Sequence, residues 1–183
     1  EARLDVLHLV LSSDWVNANI DAGDAIPGRE LARRGAAVST RRVGPQLPPA
    51  VADELVAAAA GRTHVVVSAF VRVTSSKGRA DMDASHAELL RRLAAVGLPV
   101  VVVSYGSPYL LAQFPDVPAY LCVYGADETS QRAAVAALFG ETPIGGALPV
   151  TIPGVAALGD GIAMPRRELA LVPAAAAEAG FTA

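Results

Sequence analysis

Short apolar runs alternate along this chain with stretches of helical period. The clearest runs are Asp5 to Leu11, Thr63 to Phe70, Pro99 to Tyr105 and Pro118 to Tyr124. Val65-Val66-Val67 and Val100-Val101-Val102-Val103 offer apolar side chains to both faces, as a strand covered on both sides requires. Ala36 to Val43 reads as the second strand in chain order. Leu148 to Ile152 reads as a sixth, near a sheet edge because Pro149 and Pro153 bracket it.

The intervening stretches carry helix ends. Pro27 fits the first turn of a helix that stops before Gly35. Pro48-Pro49 opens one that runs to about Ala60, ahead of Gly61. Ser85-His86-Ala87-Glu88 has the spacing of a capping box, in which hydroxyl and carboxylate satisfy each other's free backbone amides. That helix carries Leu89, Leu90, Leu93 and Ala94 inward and ends at Gly97. A fourth runs from Glu128 to Phe139 and stops at Gly140. Strands and helices in this alternation predict an α/β fold, a three-layer α/β/α sandwich with a mainly parallel sheet of five or six strands. No repeat is visible. From Val155 the chain turns rich in Ala, Gly and Pro, so residues 1–154 read as the domain and 155–183 as a linker or tail, with one helix around Arg167.

Composition agrees with one domain of 183 residues. Apolar residues make up 52% and charged residues 18%, which is enough for a core and too little charge for a disordered chain. The net charge of −3 and the single lysine, Lys77, leave no basic stripe, so nucleic acid is not an expected partner. No apolar run reaches the roughly 18 residues that cross a bilayer, so no membrane span is expected. The chain opens on Glu1 and enters a strand within a few residues, which leads us to expect a segment of a longer protein.

Cys122 stands alone inside an apolar run and reads as a buried strand residue, not a nucleophile. His8, His64 and His86 lack ligand spacing to one another or to a carboxylate, so no metal is expected. The glycines form neither a dinucleotide fingerprint nor a phosphate loop, so no cofactor is expected. Ser107 follows a strand and a glycine, but Tyr105-Gly106-Ser107-Pro108 lacks the G-x-S-x-G spacing of a nucleophile elbow. Helix capping by Ser107, with Pro108 at the first helical position, is the simpler reading. Asp127 likewise reads as a cap.

In an open parallel sheet, ligands bind at the C-terminal ends of the strands. The loops that gather there supply Asp14, Trp15, Arg72, Ser75, Tyr105, Ser107, Asp127 and Glu128. Hydroxyls, aromatic rings and carboxylates together suit a sugar, which offers hydroxyls and apolar ring faces. These eight are the candidate substrate rim. No residue qualifies as a catalytic group.

The most specific stretch is Ala119-Tyr120-Leu121-Cys122-Val123-Tyr124-Gly125, then Ala137-Leu138-Phe139-Gly140-Glu141, then Pro143-Ile144-Gly145-Gly146-Ala147-Leu148-Pro149-Val150-Thr151-Ile152-Pro153. It resembles the C-terminal domain of glycoside hydrolase family 3, where a helix ends Leu-Phe-Gly ahead of Pro-x-Gly-x-Leu-Pro-x-Thr-x-Pro. Val101 to Tyr109 resembles the family's strand followed by Gly-Asn-Pro-Tyr, with Ser107 in place of the asparagine. The resemblance spans residues 4 to 154 and is weakest between 14 and 60.

It implies a partner: an N-terminal (β/α)8 barrel of the same parent chain, which supplies the aspartate nucleophile of a retaining mechanism. It also implies a carbohydrate substrate for the full-length enzyme. In many family glucosidases a glutamate in the loop after the third sandwich strand is the acid/base. Here Ser75 stands where the pattern Thr-Glu-Thr-Lys-Gly would place it, within Thr74-Ser75-Ser76-Lys77-Gly78. A serine is no general acid near neutral pH. This departure points to the N-acetylglucosaminidase branch, whose acid/base is a His-Asp dyad on a barrel loop. Asp81 and Asp83 follow, but lie where they approach a helix N-terminus. Ala179-Gly180-Phe181-Thr182 resembles the entry into serine β-lactamase-like domains that sometimes follow this sandwich.

Two other classes compete. One is a stand-alone flavodoxin-like binding or signalling domain, although a receiver's acidic cluster is missing at Ser12-Ser13-Asp14. The other is an α/β hydrolase, weakened by the missing elbow.

Overall fold

The computed structural model describes residues 4–12, 26–71 and 82–167. Among the described residues five strands are joined by four α-helices and one 3-10 helix. In chain order they are β1 (Asp5–Ser12), α1 (Ile26–Arg33), β2 (Ala37–Val43), α2 (Pro49–Ala59), β3 (His64–Phe70), α3 (Ala84–Ala94), β4 (Val100–Ser104), the 3-10 helix Pro108–Gln113, β5 (Ala119–Cys122) and α4 (Glu128–Leu138). All pairings among these five strands are parallel and the strand order is β2-β1-β3-β4-β5. This is a doubly wound sheet with its switch point between β1 and β3.

Alternation along the strands sorts the side chains into two layers. Leu7, Leu9, Leu11, Val65, Val67, Val100 and Val102 face α2 and α3, where they meet Leu55, Leu89, Leu90 and Leu93. Val6 and Val66 face α1 and α4, against Leu31 and Val135. Both faces of the central strands are therefore buried, and together they form the three-layer α/β/α sandwich.

A ring of ions ties α1 to α4. Glu30, only 6% exposed, pairs with Arg33 at 3.1 Å, with Arg34 at 2.7 Å and with Arg132. Arg34 also reaches Glu141 at 2.7 Å, just past α4. These guanidiniums hold the Glu30 carboxyl below the usual carboxylate range, Arg34 most of all.

Four expectations need correction. Leu148 to Ile152 forms no strand: the Leu148 amide bonds Asp160 O at 2.8 Å, the Ile152 amide bonds Ala156 O at 2.8 Å, and the prolines between and after them have no N–H to give to a sheet. The capping box is displaced by two residues. Asp83 is the N-cap of α3, its Oδ1 accepting from the Ser85 amide at 2.9 Å, while Ser85 lies inside the first turn. A carboxylate is a stronger acceptor than a hydroxyl there, and its charge suits the helix N-terminus. Cys122 is half-buried, because β5 closes the sheet as an edge strand. Residues 155–167 form no helix, the Arg167 amide bonding Gly140 O at 2.8 Å, and the rest of the helix expected around Arg167 lies outside the described residues.

Candidate functional site

The C-terminal ends of β1, β3, β4 and β5 lie side by side, as the parallel register requires. Gly106, just past β4, passes so close to the end of β3 that a Cβ there would stand 2.6 Å from Val71 O. Any side chain at Gly106 would force the two strand exits apart.

Asp127 is the N-cap of α4. Its Oδ1 accepts from the Ser130 amide at 3.0 Å and its Oδ2 from the Ser130 hydroxyl at 2.6 Å. Those bonds favour the charged form and lower its pKa. Glu128 is bonded by Arg132 at 2.7 Å and 2.9 Å. Ser107 caps the 3-10 helix, accepting from the Tyr109 amide at 3.3 Å. Its carbonyl accepts from the Ser104 hydroxyl at 3.2 Å and the Tyr120 hydroxyl at 3.1 Å.

Tyr105 is turned inward. It is 4% exposed and stacks on Phe70 with ring centroids 4.6 Å apart. Its hydroxyl closes no hydrogen bond, and burial pushes its pKa up against a smaller opposing pull from Ser68. Asp14, Trp15, Arg72 and Ser75 lie outside the described residues, as does Asp81. Of the described rim candidates, Asp127 and Glu128 are exposed, Ser107 is half-buried and Tyr105 is taken into the core.

Tyr124 lies two residues past the end of β5. It is 50% exposed and has a left-handed backbone, φ 63°, the one non-glycine residue with positive φ among the described residues. Such a conformation costs on the order of 1–3 kcal/mol and is held only where its surroundings fix it. Gly125 is fixed in turn, since a Cβ there would meet Ser130 Oγ at 2.9 Å and Asp127 Oδ2 at 3.1 Å. The Cys122 thiol, two residues before Tyr124, has its pKa raised by burial and is a poor nucleophile.

Chemically, each described carboxylate on these loops is already engaged as a cap or in an ion pair. Among the described residues no three His, Cys, Asp or Glu side chains gather as a metal site.

Residues 12–172 match the family model of the glycosyl hydrolase family 3 C-terminal domain. The chain belongs to that family. A β-N-acetylglucosaminidase of glycoside hydrolase family 3 from Paenibacillus sp. str. FPU-7 superposes with a TM-score of 0.58 at 19% identity, over 75% of this chain and 25% of that one. A β-glucosidase from Listeria innocua, in complex with isofagomine, gives 0.58 at 16% identity, over 78% of this chain and 22% of that one. A family 3 exo-β-xylosidase gives 0.53 at 16% identity, over 79% and 21%. At these identities the likeness is one of fold. This chain covers about a quarter of those enzymes' length. Among curated protein sequences none matches.

Proposed function

We propose that this chain is the accessory C-terminal domain of a retaining β-glycosidase, packed on an N-terminal (β/α)8 barrel that carries the nucleophile. The proposed substrate class is β-N-acetylglucosaminides. One observation carries the reading: every described carboxylate at the strand exits is committed to structure. Asp127 and Asp83 cap helices and Glu128 is paired to Arg132. A group that protonates a glycosidic oxygen must reach it by hydrogen bond, and none of these is free to do so. Ser75 in place of the family's glutamate supports the same division of labour. The sandwich then contributes shape to the sugar-binding rim, with Tyr124 as an exposed ring just past β5.

The test is a pair of assays on the purified chain, with nitrophenyl N-acetylglucosaminide and nitrophenyl glucoside. Release should stay at the blank rate with both. Release that survives repurification and follows the protein through every column would overturn the proposal.

A further inference from the structure

Residues 140–167 form an arm that is ordered yet almost bare. Its backbone is held by its own bonds. Ile144 and Met164 exchange two, at 2.9 Å and 2.8 Å, and Leu148 pairs with Asp160 and Gly159 at 2.8 Å and 2.9 Å. The Leu158 amide bonds Thr151 Oγ1 at 3.2 Å, and the Ala157 amide bonds the Asp160 carboxylate at 2.7 Å. Gly154 and Gly159 take positive φ at the turns, and Pro143, Pro149, Pro153 and Pro165 stiffen the chain between them. Both ends are anchored, through the Arg34–Glu141 ion pair and the bond from Arg167 to Gly140.

This rigid arm buries little. From Thr142 to Pro165 only Ile152 is buried, while Leu158, Ile162 and Met164 are 66%, 76% and 55% exposed. Between Glu141 and Arg166 the single charged side chain is Asp160, and it is spent on the Ala157 amide. A solvent-facing surface ordinarily carries about a quarter to a third charged residues. An exposed stretch depleted of charge, rich in aliphatic side chains and fixed in advance has the composition of an interface core.

The geometry points to this arm as the surface on which the catalytic barrel of the parent chain docks. The inference rests on the accessory-domain reading above. A second domain in the same chain is the favoured occupant because the family 3 enzymes of known structure are about four times the length that this chain matches. Their remaining chain is large enough to cover such a strip, and an uncharged strip suits a permanent intramolecular partner better than a transient one.

The chain's two methionines make the test. Met164 lies on the arm, and Met82 is 4% exposed in the core. Thioether oxidation by dilute peroxide follows exposure, so mass spectrometry of the peptides reads both sites at once. In the isolated chain, which carries its own two-sided core, Met164 should oxidise far faster than Met82. In the full-length parent protein Met164 should slow by about tenfold or more, with Met82 unchanged. Leu158→Asp with Ile162→Asp should restore Met164 oxidation in the parent and leave the melting temperature of the isolated chain unaltered.

A parent that contains the barrel but oxidises Met164 as fast as the isolated chain does would overturn the inference and leave the accessory-domain reading standing. Slow oxidation already in the isolated chain would also overturn it, assigning the arm to residues 168–183 or to a second copy, which sedimentation would separate. A parent sequence without a barrel would remove the accessory-domain reading itself.

Discussion

The imidazole of His8 lies 2.9 Å from the Ser68 hydroxyl, on the α1–α4 side of the sheet, with neither residue exposed. Its other nitrogen meets Thr40 Oγ1 at 3.2 Å. Gly28 closes the site from α1, since a Cβ there would stand 2.9 Å from His8 Nδ1. Two hydroxyls can satisfy a neutral ring, one donating and one accepting, but supply no counter-charge. Glu30, two residues beyond Gly28, is engaged by three arginines.

Burial accordingly lowers the His8 pKa from 6.5 to about 4. The folded state binds fewer protons there than the unfolded state does. Stability from a neutral His8 is therefore full above about pH 6.5 and is lost as pH falls towards 4, by about 3 kcal/mol in all. Burial lowers His86 in the same direction, so it adds to the loss in that window. Urea midpoints measured between pH 7 and 4 should fall steeply for the native chain and less steeply for His8→Gln. Identical slopes would show that His8 is not the proton-binding group.

Gly106→Ala should destabilise the domain by about 1–3 kcal/mol, because its Cβ would meet the backbone oxygen of Val71, which cannot swing away. Gly145→Ala is the control, with nothing within 4 Å and no positive φ. Urea denaturation of the two variants should separate them. Equal midpoints would mean that the strand exits at Gly106 can part freely.

Glu30→Gln keeps the shape of the α1–α4 junction and removes the charge shared by Arg33, Arg34 and Arg132. The melting temperature should drop at pH 7. The folded-state pKa of Glu30 is lowered, so its contribution is complete above about 4.5 and vanishes as pH falls below that. The gap between variant and native chain should narrow in acid and in about 1 M salt. A gap indifferent to both would make Glu30 a packing residue.

The fold was legible where physics is local. Val65 to Val67 and Val100 to Val103 could only be strands covered on both sides, and Gly35, Gly61 and Gly140 end helices with positive φ as their sequence positions suggest. What depends on distant partners was not. His8 reads as one more strand residue until Thr40 and Ser68, 32 and 60 residues on, are brought beside it. Leu148 to Ile152 has strand composition but finds its hydrogen bonds within its own arm.

At the site, alternation held an unused signal. Tyr105 shares the parity of Val101 and Val103, so it follows them into the α1–α4 layer and onto Phe70. Tyr124 left no such trace, because a positive φ at a non-glycine residue has no counterpart in the apolar alternation. The caps were legible in kind, since a carboxylate ahead of a helix is favoured there, though Asp83 rather than Ser85 holds the position.

The central claim is that the parent enzyme takes no acid/base group from this domain, and asparagine substitutions test it cleanly because asparagine also caps helices. In the full-length enzyme, Asp83→Asn and Asp127→Asn should each change kcat by less than about tenfold, as should Asp81→Asn in the same loop, whereas loss of a true acid/base costs on the order of a hundredfold or more. A loss of that larger size, rescued by added azide, would contradict the account and place the proton donor in the sandwich.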